Sequence, residues 1–237
     1  MEESNFYVRN EKVCGIGPWL WPKEKYIYLN SDGESETDGG LWHGPKLDFE
    51  ICHQFLVLNA CKHFDVVVQA GGGCGMYPRL LAQRFKYIYT FEPNYLNFFC
   101  LTNNCPMSNI FKMQAALGNE NKMVGMCFRD SNYGESVIVD ENMIENKMLK
   151  GELQGTIPML RIDQLGLWKC DLIWLDIERY EIYALRGAVE TIKKFRPTVV
   201  VECGDLHGIP EFMESLNYTF QGMSMADYIY VPSEFLK

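Results

Sequence analysis

Val66-Val67-Val68-Gln69-Ala70-Gly71-Gly72-Gly73-Cys74-Gly75-Met76 decides how the rest of the chain is read. A short β-branched run ends in a cluster of glycines, and a segment with helical character follows. The run has no polar alternation, so it reads as a strand buried on both faces, as in a parallel sheet. Glycines at a strand-to-helix junction let a ligand approach the backbone, whose N–H groups and helix N-terminus then face polar ligand groups. The alternative is a tight turn that serves only the path of the chain. The glycine spacing is G-x-G-x-G, at Gly71, Gly73 and Gly75. Met76 stands where the dinucleotide fingerprint G-x-G-x-x-G carries its third glycine.

The pattern repeats on both sides of this stretch. Leu47 to Lys62 and Met76 to Lys86 have helical spacing, Tyr87–Phe91 reads as a second strand and Pro93 to Asn104 as a second helix after it, with Pro93 in its first turn. Ile110 to Leu117 suggests a third strand. Met123 to Phe128 and Ser136 to Val139 are β-rich around Asn132-Tyr133-Gly134 and suggest a hairpin or an insertion. Asp171–Leu175 is a fourth strand, Arg179 to Lys194 an amphipathic helix, and Thr198–Glu202 a fifth strand. A helix near Pro210 to Leu216 and short strands near Tyr218–Phe220 and Tyr228–Val231 close the pattern. Strands alternating with helices predict a doubly wound α/β domain with a mostly parallel sheet.

The chain has 237 residues, 47% of them hydrophobic and 22% charged, which fits one large globular domain or two small ones. Residues 1–45 are too few for a core and read as an N-terminal extension or cap; 46–237 form the main domain. No apolar stretch approaches a membrane span, and the acidic start predicts no signal peptide. Twenty-two basic against 31 acidic residues give a net charge of −9, which repels polyphosphate and disfavours nucleic acid as a gripped partner. The nine cysteines are odd in number and lack C-x-x-C spacing, so they read as reduced core residues of a cytoplasmic protein. No His/Cys ligand cluster supports a metal site.

Candidate site residues gather at the strand ends. Glu92 ends the second strand about twenty positions after Gly71, the spacing at which an acid meets ribose hydroxyls in dinucleotide folds. The competing reading is a solvated acid at a strand end. Asp176 and Glu178 follow the fourth strand, at the sheet edge where open α/β proteins bind ligands. Carboxylates there either hold an ammonium group or take a substrate proton; Glu178 and Glu181 could instead complement the helix that follows. His207, in Glu202-Cys203-Gly204-Asp205-Leu206-His207, is either a general base or a solvated loop histidine.

Glycine loop, Phe91-Glu92-Pro93, Ala115-Ala116-Leu117-Gly118, Leu160-Arg161-Ile162-Asp163, Leu175-Asp176-Ile177-Glu178-Arg179-Tyr180-Glu181, Leu185-Arg186-Gly187-Ala188 and Arg196-Pro197 together resemble the FkbM family of methyltransferases. The resemblance covers about residues 47 to 231. It implies a Rossmann-like, seven-stranded class I methyltransferase fold with an antiparallel C-terminal strand. It also implies use of S-adenosylmethionine (SAM), with S-adenosylhomocysteine as product, usually for O-methylation of a sugar or natural product. It places the Gly71–Gly75 loop at SAM, Glu92 on its ribose beside Pro93, and Ala115 and Ala116 beside its adenine; Gln69 can hydrogen-bond the methionine ammonium, and Asp176, by its place at the sheet edge, is a carboxylate that can hold it. Four positions depart from the family: Gln69 replaces Asp, Gly72-Gly73 replaces Ala-Asn, and Arg179 replaces Gly.

The leading expectation is therefore a SAM-dependent methyltransferase acting on a hydroxyl of a small molecule or carbohydrate. Asp176, Glu178 and His207 are its candidates for orientation and proton removal. A SAM-fold scaffold with weakened catalysis is the second reading, motivated by Gln69 and Arg179. An NAD enzyme is the third. A nucleic-acid methyltransferase is disfavoured by charge and by the lack of an Asn/Asp-Pro-Pro-Tyr motif. Homo-oligomerisation is left open. The aromatic extension (Trp19, Trp21, Trp42, His43) either caps the active site or is a packed cover. As a cap, its deletion would weaken acceptor binding more than SAM affinity.

Overall fold

The computed structural model describes residues 6–10, 12, 16–22, 28–29, 35–36, 54–129, 132–139, 152–204 and 208–236. In chain order the N-terminal strands are β1 (Phe6–Arg9), β2 (Trp19–Pro22), β3 (Tyr28–Leu29) and β4 (Ser35–Glu36). They are followed by α1 (Gln54–Ala60), β5 (Val66–Ala70), α2 (Met76–Leu81), β6 (Tyr87–Phe91), α3 (Tyr95–Asn104), β7 (Ile110–Met113) and β8 (Ala116–Leu117). Then come β9 (Lys122–Arg129), β10 (Asn132–Val139), β11 (Glu152–Leu160), β12 (Leu172–Leu175), α4 (Glu181–Arg186), α5 (Val189–Phe195), β13 (Thr198–Glu202), α6 (Ile209–Ser215), β14 (Tyr218–Ser224) and β15 (Asp227–Pro232).

The central sheet has seven strands in the order β14-β15-β13-β12-β5-β6-β7. Its five core strands pair in parallel, and β15 runs antiparallel between β13 and β14. All five residues of β5 are buried, and alternate side chains feed opposite faces. Val68 and Ala70 join Leu175, Val199 and Val201 beneath α4, α5 and α6. Val67 joins Leu172, Trp174 and Val200 beneath α1, α2 and α3. Helices on both faces explain why these strands read as unbroken apolar runs.

Several expectations change in detail. The third strand divides into β7 and β8, and β8 leaves the main sheet for a second one ordered β10-β9-β11-β8. The expected hairpin is β9–β10, but β11 was not anticipated: Gly155 and Pro158 broke its pattern, and the register does shift between Leu153 and Gly155. The helix expected over 179–194 splits into α4 and α5 at Gly187. A Cβ there would lie 2.0 Å from the Gly118 carbonyl oxygen, so the close approach of two backbones interrupts the helix. The first turn of α5 is capped at a distance, because Thr191 N donates to Asp163 Oδ1 (2.8 Å). Residues 47–53 of the first expected helix, Trp42, His43, Asp205 and His207 lie outside the described residues.

Candidate functional site

A cleft opens at the C-terminal ends of β5, β6 and β12. Its floor and rim come from the junctions after these strands: Gly71 after β5, Glu92 and Pro93 after β6, and Asp176 to Glu178 after β12. The second sheet forms the facing wall with Ala116, Leu117, Ser136 and Ile138, next to Ala115. That sheet is held in place by an apolar layer in which Val124, Met126, Ile157 and Met159 pack with Tyr180.

The glycine loop is pinned from several sides. Gly71 N and Gly72 N donate to Phe91 O (3.1 and 2.9 Å), and Gly75 N donates to Gly72 O (2.9 Å). Gly73 N donates to Glu92 Oε2 (2.6 Å), and Asn94 N donates to Glu92 Oε1 (2.8 Å). Gly71, Gly73 and Gly75 all have positive φ (81°, 49° and 94°), the left-handed region that residues with a Cβ avoid. Gly71 is doubly required, because a Cβ on it would lie 1.9 Å from the Asp176 carbonyl oxygen.

Glu92 is 5% exposed, and burial pushes its carboxyl up to about 7 against the two N–H bonds that favour the charged form. Asn94 caps α3 through its side-chain oxygen, which accepts from Leu96 N (2.9 Å). Its amide nitrogen donates to Ser136 Oγ (3.0 Å), tying the far wall to the Glu92 junction.

The β12 side is built differently. Glu178 and Arg179 both have positive φ (56° and 74°). Burial, with Glu202, Asp227 and Glu178 close by, holds the Asp176 carboxyl well above the usual carboxylate range. Glu202 ends β13 next to β12, and the β13–β15 register sets it opposite Asp227. Glu181 is also buried; burial pushes it up to about 7, although Ile177 N donates to its Oε1 (2.9 Å). Among the described residues, no acidic, His or Cys group has the arrangement of a metal site.

Of the residues singled out in the sequence, Gly71, Glu92, Pro93, Ala115, Ala116, Asp176 and Glu178 line this one cleft. Gly73 and Gly75 shape the loop behind it. Gln69 is 1% exposed and does not line the cleft. Its Oε1 accepts from Thr90 Oγ1 (2.6 Å), and its Nε2 donates to Gly71 O (2.9 Å), so the amide braces the loop. Ser136, Ile138 and Asp227 were missed. Nothing local marks them; only strand pairing brings them to the site.

A model of the methyltransferase FkbM domain matches residues 73–220. Among solved structures, a methyltransferase FkbM from Methylobacillus flagellatus KT is similar at TM-score 0.51 and 16% identity, covering 71% of this chain and 43% of that one. A TehB-like SAM-dependent methyltransferase from Corynebacterium glutamicum ATCC 13032 Kitasato gives TM-score 0.40 and 12% identity, covering 76% and 84%. Trm5b from Pyrococcus abyssi gives 0.45 and 12%, covering 97% and 56%. The present chain thus spans less than half the length of the FkbM structure it matches. Among curated proteins, none matches. The architecture is the Rossmann-like class I methyltransferase fold.

Proposed function

We propose that this chain, which belongs to the methyltransferase FkbM domain family, binds SAM in the cleft after β5, β6 and β12 and methylates a hydroxyl of a small molecule or carbohydrate. The observation that carries the reading is the convergence of Gly71, Glu92, Asp176 and Glu178, from three separate strand ends, on one cleft. The donor set suits the molecule. Glu92 lines the cleft as a carboxyl acceptor for a ribose hydroxyl, Ala115, Ala116, Leu117 and Ile138 offer an apolar slot for a purine, and the crowded carboxyls after β12 favour a cation.

SAM, when bound, supplies an electrophilic methyl group on a positively charged sulfur. The protein's part is to hold the acceptor oxygen in line and to take its proton. Asp176 or Glu178 performs the second task. An Asp176 carboxyl of raised proton affinity is a stronger base than an ordinary aspartate once it is ionised. His207, outside the described residues, is a further candidate. Residues 1–45 form an extension of the domain that occupies 46–237. Among the described residues, no helix is long and apolar enough to cross a membrane.

Isothermal titration with SAM and with S-adenosylhomocysteine tests the cofactor assignment: micromolar binding of both is expected, and binding of neither at millimolar concentration sinks it. A second reading, cofactor binding without transfer, draws on Gln69, whose amide serves the loop instead of the cleft. Binding without turnover across hydroxylated acceptors would favour it.

A further inference from the structure

None of the described residues of the N-terminal hairpin lines the cleft. Trp19 and Trp21 are buried against Cys74, Met76, Leu80 and Cys100, behind the glycine loop. Arg79 of α2 lies over the Trp19 ring (4.8 Å). A buried side chain hydrogen-bonds both β2 and the glycine loop. Asn104, the last residue of α3, is 4% exposed. Its Oδ1 accepts from Leu20 N (2.7 Å), and its Nδ2 donates to Leu20 O (2.9 Å) and to Cys74 O (2.7 Å). The next residue continues the grip, because the Cys105 thiol donates to Gly75 O (3.2 Å). Two consecutive residues at the end of α3 therefore hold two consecutive carbonyls of the loop, and the first also holds strand β2.

We propose that Asn104 is a positioning residue that makes β2 part of the cofactor site, holding the glycine loop in its ligand-ready form only while the N-terminal hairpin is docked. The inference rests on the SAM reading of the cleft. A buried amide with all its hydrogens used acts as a rigid brace, and each partner left unsatisfied is costly. Loss of β2 leaves Asn104 with one of its three bonds, and Asn104 then turns away from Cys74 O. The expected effect of removing the extension is thus on cofactor affinity, contrary to the cap expectation.

The test uses the full-length chain. Asn104→Ala removes the brace. Leu20→Pro removes the N–H that donates to Asn104 Oδ1 and exchanges a side chain packed beside Trp19 and Trp21, so Leu20→Ala, which keeps the N–H, is its packing control; Leu20 pairs with Val8 of β1 and turns its N–H and carbonyl to Asn104. Asn104→Ala should weaken S-adenosylhomocysteine binding about five- to tenfold, and Leu20→Pro somewhat less. The double variant should match Asn104→Ala alone, and amides of the Gly71–Gly75 loop should exchange faster in both single variants. Unchanged affinity in folded variants, multiplying effects, or faster exchange confined to β2 would overturn the proposal. Leu20→Pro keeps it testable if Asn104→Ala does not fold. If the wild-type chain binds neither SAM nor S-adenosylhomocysteine, the cofactor reading fails, while loop exchange still reports whether the coupling exists.

Discussion

The loop after β5 and the turn after β12 touch each other across Gly71 and Asp176, yet they are built by opposite means. The loop places glycine at each of its left-handed positions, and neighbours hold its backbone groups. The turn places Glu178 and Arg179 in the same region of backbone space and crowds Asp176 with Glu202, Asp227 and Glu178. A satisfied backbone is rigid and cheap to keep, whereas crowded carboxyls and left-handed side chains store free energy. The difference separates a preformed cradle from a wall that gains when a cation or a proton arrives.

The largest expected effect comes where the two regions meet. Gly71→Ala must adopt φ of 81° and drives a Cβ into the Asp176 carbonyl. The strands have to separate, at a cost of about 3–5 kcal/mol. Urea unfolding should record that loss, and S-adenosylhomocysteine affinity should fall more than about 100-fold. A stable variant that still binds would mean the loop is not the rigid partner.

The second effect is a pH dependence with an unusual sign. Glu92 and Glu181 are each raised from 4.5 to about 7, and Asp176 is raised as well. Between those two values the folded chain binds more protons than the unfolded chain, so stability falls as pH rises through this window. Each group contributes up to about 3 kcal/mol at the limit. Asp65, lowered to about 2 by Lys169 and Lys86, acts the other way and loses its contribution as pH falls toward that value. The melting temperature of the ligand-free chain should therefore peak near pH 5 and drop by pH 8. A rise over that interval would show that the wall is already neutralised.

Third, Glu202→Gln removes one charge from the wall and should stabilise the ligand-free chain at pH 8 by about 1–2 kcal/mol. The acid limb of the activity profile should shift to lower pH, because Asp176 then ionises more readily. A destabilised variant with an unmoved profile would detach Asp176 from Glu202.

The two regions were unequally legible in the sequence. The loop was visible because its chemistry is local: a buried strand, glycines at fixed spacing, and an acid at the end of the next strand. Asp176 and Glu178 were visible for the same reason. Asp227 was not, since only the pairing of β15 with β13 brings it opposite Glu202. Ser136 and Ile138 reach the cleft through a sheet whose third strand is masked by Gly155 and Pro158. The split of the 179–194 helix depends on the carbonyl of Gly118, far away in sequence. Gln69 was read by position as a ligand group, but its neighbour Thr90 fixes where its amide points. Local chemistry was readable; placement that depends on register was not.

Arg179 offers the finest test of the contrast. Its φ of 74° explains why a glycine is expected at this point of the family pattern. A residue with a Cβ pays roughly 1–2 kcal/mol to enter the left-handed region, and the exposed side chain forfeits little packing if removed. Part of the gain from glycine is offset by its freer unfolded chain. Arg179→Gly should therefore stabilise the protein by about 0.5–1 kcal/mol, read by denaturant midpoint at constant m-value. If S-adenosylhomocysteine binding is also unchanged, the strain at this position is incidental. If transfer to the acceptor falls while stability rises, the turn keeps its arginine for the acceptor side of the cleft, and the contrast between cradle and wall becomes one between cofactor and substrate.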